Sequence, residues 1–190
     1  MPDKIGYRGA IEANGTPIPE LFRDTGTGGG FASGPTNMGG YSDEIVPTVT
    51  VSTSPAYSVG DCVGGKLTLS SIVRSGSKGL LVSVLVSDTS NQKAGLELLI
   101  FNADPSGSTL TDNTAAVIAA ADVSKVIRRI SIAASDYVTI DSKAFADIVV
   151  SGRELKPASG TDLYAALVTT GTPTYAATTA LGLRLGVLQD

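Results

Sequence analysis

The sequence predicts an all-β protein: an antiparallel β-sandwich or jelly-roll-like domain with one short helix and an extended N-terminal arm. Three observations point there. Of the 190 residues 42% are hydrophobic and only 17% charged, enough apolar material for a core and few charges to solvate. The chain is rich in Gly, Ser, Thr and Val, with 22 glycines, so turn formers and strand formers are both abundant. From residue 46 onward, short apolar runs are separated by turn residues at intervals of roughly 8–12, the spacing of a sandwich or barrel.

Residues 1–45 read as the arm. The stretch "DTGTGGGFASGPTNMGGY" (24–41) is Gly-rich and aperiodic, and "NGTPIPE" (14–20) is turn chemistry followed by proline-enforced extension. Such a segment buries too little to fold alone. Its spaced apolar residues Ile5, Tyr7, Ile11, Ile18, Leu21 and Phe22 suit anchors that lie on a neighbouring subunit.

Residues 46–190 form the β domain. "VPTVTVST" (46–53) starts it, and "CVGGKLTLSSIV" (62–73) follows, with Gly64–Gly65 marking a bulge or bend. In "GLLVSVLVSD" (79–88) Leu80, Val82, Val84 and Val86 point one way and Leu81, Ser83, Leu85 and Ser87 the other, which is period two with one wholly apolar face. "AGLELLIF" (94–101), "VIRRISIA" (126–133) and "KAFADIVV" (143–150) read as further strands, with "IDSK" as a hairpin turn before the last. "DLYAALVTT" (162–170) and "ALGLRLGVLQD" (180–190) close the set. In the final strand Leu181, Leu183, Leu185 and Val187 face the core, while Gly182, Arg184, Gly186 and Leu188 leave the other face nearly bare, for a subunit contact or for close sheet packing. "NTAAVIAAADVSK" (113–125) is the helical candidate, one or two turns with Asp122 capping the second.

The uncharged stretch 163–183 is long enough to span a bilayer, but its threonines, proline and glycines fit two strands and a turn better than a membrane helix. The opening "MPDKIGYRGA" has no apolar core of a signal peptide, and no membrane partner is expected.

What the chain lacks limits its chemistry. Histidine is absent, which removes imidazole-based triads and imidazole metal sites. The single cysteine, Cys62, can form no intrachain disulfide and reads as a small buried hydrophobe. "GTGGG" (26–30) lacks the Lys-Ser/Thr of a phosphate loop. The net charge of −4 argues against direct nucleic-acid binding, since Lys125, Arg128 and Arg129 cluster but Arg128 and Arg129 fall on opposite strand faces. Arg153 and Lys156 flank a turn. Carboxylates that could pair, Asp136, Asp141 and Asp147, or Asp104 and Asp112, each fit a turn role better than glycosidase chemistry. "DPSG" (104–107) matches a type I turn. Residues 102–113 carry many oxygen ligands without calcium-loop spacing, so Asn102, Asp104, Asp112 and Asn113 are read as a surface loop that contacts a neighbour if it contacts anything. No catalytic residue, cofactor or metal is expected.

The segment "LELLIFNADPSGSTLTDNTAAVIAAADVSKVIRRISIAASDYV" resembles small virion structural proteins of tailed bacteriophages. The pattern is a strand ending in Phe101, a polar stretch with Pro105, then Thr111-Asp112-Asn113, an alanine-rich turn ending Ala121-Asp122, a strand over 126–132, and Asp136-Tyr137. The closing "DLYAALVTTGTPTYAATTALGLRLGVLQD" is similar to the ends of such proteins; the resemblance covers 46–188 and leaves out the arm. It implies a non-enzymatic virion component, assembled in the host bacterial cytoplasm. The first expectation is a capsid decoration (cement) protein that binds the major capsid protein and other copies of itself, as trimer or dimer. A neck, tail or baseplate protein is the alternative, and a carbohydrate-binding β-sandwich the second alternative.

Overall fold

The computed structural model describes residues 41–74 and 77–189. The described residues form nine strands: β1 (Tyr41–Ile45), β2 (Cys62–Leu69), β3 (Gly79–Asp88), β4 (Leu96–Phe101), β5 (Val126–Ile132), β6 (Tyr137–Ile140), β7 (Lys143–Leu155), β8 (Leu163–Thr169) and β9 (Leu181–Gln189). They make a five-stranded sheet ordered β1-β9-β3-β7-β6 and a four-stranded sheet ordered β2-β8-β4-β5. Every pairing is antiparallel. The pairs β1·β9, β2·β8, β3·β7 and β4·β5 are nested, as in one long two-stranded ribbon rolled up until β9 meets β3 and β8 meets β4. That is the topology of a jelly roll. β6 is an extra strand, joined to β7 by Asp141 and Ser142, whose φ of 45° and 62° give the two-residue hairpin turn that "IDSK" predicts.

The core lies between the sheets. Leu81, Val84, Val86, Leu183 and Leu185 face Leu69, Leu98, Ile100 and Leu167 across it, all buried. Each such side chain contributes about 1.5–3 kcal/mol relative to exposure. β9 alternates as its sequence predicts. β3 does not keep one parity. Its register with β7 and β9 slips between Leu81 and Ser83, so Leu81, Val84, Val86 and Asp88 are buried and Leu80 faces out. On β7 the same slip takes up Val150, Ser151 and Gly152, the last at φ 50°, so Arg153 lies in the strand and does not flank a turn. β2 carries the expected bulge at Gly64–Gly65, both at positive φ.

Three further expectations are revised. Tyr41–Ile45, placed by sequence at the end of the arm, form the edge strand β1 on β9. Residues 46–53 join no ladder; Val49 and Val51 are buried beneath the sheets, and the Val51 amide donates to the Thr178 carbonyl. The segment 113–125 is helical only as a 3-10 turn, Ala120–Lys125, and Asp122 sits within that turn instead of capping it. The 102–125 connection covers the outer face of the four-stranded sheet. Leu110, Ala116 and Ile118 close there over Cys62, Phe101 and Ala166, a second, smaller core.

Candidate functional site

The six arm residues singled out by sequence, Ile5, Tyr7, Ile11, Ile18, Leu21 and Phe22, lie outside the described residues. The four loop residues are described, and they do not converge on one site. Asn102 is tied through its backbone, its amide donating to the Lys125 carbonyl and its carbonyl accepting from the Ala158 amide. The Asp104 carboxylate pairs with Lys66 at 2.6 Å, and its carbonyl accepts from Lys125 Nζ. Asn113, at φ 55°, donates from Nδ2 to the Pro55 carbonyl.

Asp112 turns inward, a correction to its reading as a surface contact. Its carboxylate accepts from Ser52 Oγ (2.6 Å), Tyr57 Oη (2.7 Å) and the Gly64 amide (2.6 Å). It thereby ties the cover loop to the 46–60 segment and to the β2 bulge. Burial, then the hydrogen bond to Asp112, pushes the Tyr57 hydroxyl well above the ordinary tyrosine range. Burial, then the Asp112 charge, pushes the Cys62 thiol up to about 11. Cys62 is fully buried and packs with Phe101, Leu110 and Ala166 as a small hydrophobe.

The "DPSG" turn is displaced by one residue. The closing bond runs from the Ser108 amide to the Pro105 carbonyl, and the Gly107 amide donates instead to Asp122. Asp122, almost fully buried, also accepts from Ser108 Oγ and pairs with Lys125 at 2.7 Å. The Lys125 hydrogen bond first, and the Ser108 bond second, hold its carboxyl below the usual carboxylate range. A depressed acid stabilises the fold fully above its unfolded value, about 3.9, and loses that contribution as pH falls through the folded value. Acidification below pH 4 is therefore expected to loosen the 105–108 turn, read as a shift of the Gly107 amide resonance. Asp122→Asn should abolish the pH dependence; an unchanged titration in that variant would contradict the assignment.

The other candidate acids are spent separately. Asp136 accepts from the Ala133 amide, Asp141 pairs with Lys143, and Asp147 stands exposed opposite Leu85 on the outer sheet face. Among the described residues no group of three or more His, Cys, Asp or Glu could hold a metal ion, and no helix is long and apolar enough to cross a membrane. Of the predicted basic pair, Arg129 forks onto Glu97 with two bonds of 2.9 Å on the outer face. Among the described residues Arg128, on the other face, donates to the Ile127 carbonyl alone.

What the geometry offers is surface. The outer face of the five-stranded sheet exposes Val138, Ile140, Val149, Leu80 and Leu188, with Val149 85% accessible. Its floor is low at Gly182 and Gly186 because the Ser87 and Ser83 side chains of β3 lie against them, leaving no room for a Cβ. The bare face of β9 is thus filled by cross-strand packing. Sequence alternation flags Leu188; Val149 faces out because it pairs with Ser83 just past the register slip, which no local pattern in 143–150 shows. Two grooves open on the flanks of the sandwich. One, about 520 Å³, runs between β1 and β2 past Glu44, Pro47, Lys66 and Thr68. The other, about 440 Å³, runs between β5 and β7. The chain matches no family model, no curated protein and no solved structure.

Proposed function

We propose that this chain is a non-enzymatic structural protein of a tailed-phage virion, a decoration protein that binds the outer capsid shell and bridges capsomers. The observation that carries the reading is the set of five exposed apolar side chains on the outer face of the five-stranded sheet, Val138, Ile140, Val149, Leu80 and Leu188, interspersed with the charges of Asp147, Glu154 and Arg184, on a sandwich whose loop carboxylates are engaged in closing their own loops. A face of this kind suits burial against another protein. Repetition over a shell multiplies a weak contact into stable attachment. The resemblance of residues 46–188 to phage virion proteins supplies the assembly, with the major capsid protein and further copies of the chain as partners. Among the described aromatics Tyr57, Phe101, Tyr137 and Tyr175 are buried and Phe145 and Tyr164 half-buried, Tyr164 beneath the Lys66 ammonium, so no described ring stands fully open to stack on a sugar, which favours the protein-binding reading over a carbohydrate-binding one.

Cosedimentation of the full chain with mature capsids tests this. Binding should saturate at a fixed ratio per capsomer. Val149→Glu, at so exposed a site, should weaken it at least about tenfold, since a charge buried without a partner costs more than 1.4 kcal/mol, while leaving the melting midpoint unchanged. Failure of the wild-type chain to sediment with capsids, together with rings or tubes formed by the chain alone, would move it to the neck, tail or baseplate.

A further inference from the structure

The groove between β5 and β7 differs from its counterpart on the other flank. Its lining includes Arg128, Arg129 and Arg153 and no acid, along with Ile127, Ile148 and Val150. In the β1–β2 groove the one cation, Lys66, is already held by Asp104 and lies over the Tyr164 ring. Here Arg128 and Arg153 have no carboxylate partner among the described residues. Arg128 shares the core-facing side of β5 with Ile130 and Ile132, and its Nε is buried with no acceptor among the described residues. A buried guanidinium N–H without an acceptor is unfavourable, and such groups in native structures call for a partner or a role.

The walls of the groove are strand edges. Among the described residues β5 ends the four-stranded sheet, paired only with β4. β6 pairs with Lys143–Ala146 and stops, so β7 beyond Ala146 carries no neighbour on that side among the described residues. Among the described residues two free edges therefore flank an apolar trough in which Arg128 and Arg153 have no carboxylate partner.

We propose that this groove docks an extended acidic peptide segment of a partner protein, which adds to the edge of β5 as a strand and delivers a carboxylate to Arg128 and Arg153. Backbone hydrogen bonds along the edge supply affinity, and the side chains facing the trough supply selection. Arginine's planar fork matches a carboxylate in two parallel bonds, and the apolar lining strengthens that pairing by excluding water. Free phosphate could meet the same guanidinium groups but gains nothing from the strand edges. A nucleic acid would need a longer track of cations than these three arginines, one of them already held by Glu97. The inference stands apart from the shell-binding reading and holds or fails without it.

The test uses the full chain, ¹⁵N-labelled, with two probes: the blocked hexapeptide acetyl-Val-Glu-Val-Glu-Val-Glu-amide and its Val-Gln counterpart. The acidic peptide should shift the amide resonances of 126–132 and 147–155. The Gln peptide should bind at least about tenfold more weakly, the difference expected of one charge-assisted hydrogen bond. Arg153→Gln, at an exposed position, should lose a similar factor, and Lys66→Gln, in the groove on the other flank, should lose none. Arg128→Met should abolish preference for the acidic peptide and raise the melting midpoint by about 2–4 °C, because it removes an orphaned buried N–H. Equal binding of the two peptides, shifts confined to other strands, or no response at millimolar peptide would overturn the proposal. So would inorganic phosphate or an oligonucleotide saturating the same resonances while the acidic peptide fails to displace it. An Arg128→Met variant that is less stable yet keeps its peptide preference would assign Arg128 to the fold instead.

Discussion

Asp112→Ala should lower the unfolding free energy by about 3 kcal/mol, read as a reduced urea midpoint at an unchanged slope. One carboxylate accepts three hydrogen bonds from two stretches of chain: Ser52 and Tyr57 of the 46–60 segment, and Gly64 of the β2 bulge. Its removal leaves a buried tyrosine hydroxyl and a backbone amide without their acceptor, and each such group costs about 1–3 kcal/mol. Partial access of water to the loop keeps the total below a simple sum. Asp112→Asn should cost less, because one amide oxygen can still serve the Gly64 amide while the NH₂ opposes a hydroxyl that can rotate. Tyr57→Phe removes one donor and should cost about 1 kcal/mol. If Asp112→Ala and Tyr57→Phe prove equally mild, the inward orientation of this loop is wrong.

Gly64→Ala should cost about 2–4 kcal/mol, whereas Gly65→Ala next to it should cost about 1–2 kcal/mol. Both glycines have positive φ, +76° and +73°, a conformation that penalises any Cβ. They differ in space. A Cβ on Gly64 would stand 2.5 Å from Val49 Cγ1, while one on Gly65 would find nothing nearer than 3.6 Å. Overpacking adds about 1–3 kcal/mol at the first site only. Val49→Ala should relieve part of the Gly64→Ala loss, which separates steric clash from backbone strain. Because the Gly64 amide is also a donor to Asp112, the Gly64→Ala and Asp112→Ala effects should sum to less than additivity when combined. Strict additivity would mean that the bulge and the loop do not share one joint.

These two sites mark where the sequence was legible and where it was not. β9 was legible because its leucines alternate without interruption and both its faces obey the pattern. The Asp141–Ser142 turn was legible because a two-residue hairpin has few chemistries. β3 was legible as a strand but not in its facing, since Leu80 and Leu81 are equally apolar and only pairing with β7 sets which one is buried. The 113–125 segment is alanine-rich, and alanine favours helix, but the segment is held extended where the Thr109–Val117 bridge and the Ile118 contact pin it to the sheet. Asp112 was legible as a loop aspartate; its partners lie 48, 55 and 60 residues away, beyond the reach of any local pattern. The β5–β7 groove could not be read at all, because it exists only where the short β6 leaves β7 uncovered beyond Ala146.

The most direct measurement of the functional account is the abundance of this chain in purified particles, by quantitative mass spectrometry against the major capsid protein. A shell-decorating protein should be present in a fixed ratio comparable to the major capsid protein, and stripping it should lower the temperature at which capsids rupture. A chain present as only a small fraction of the capsid protein, or absent from particles, would contradict the account.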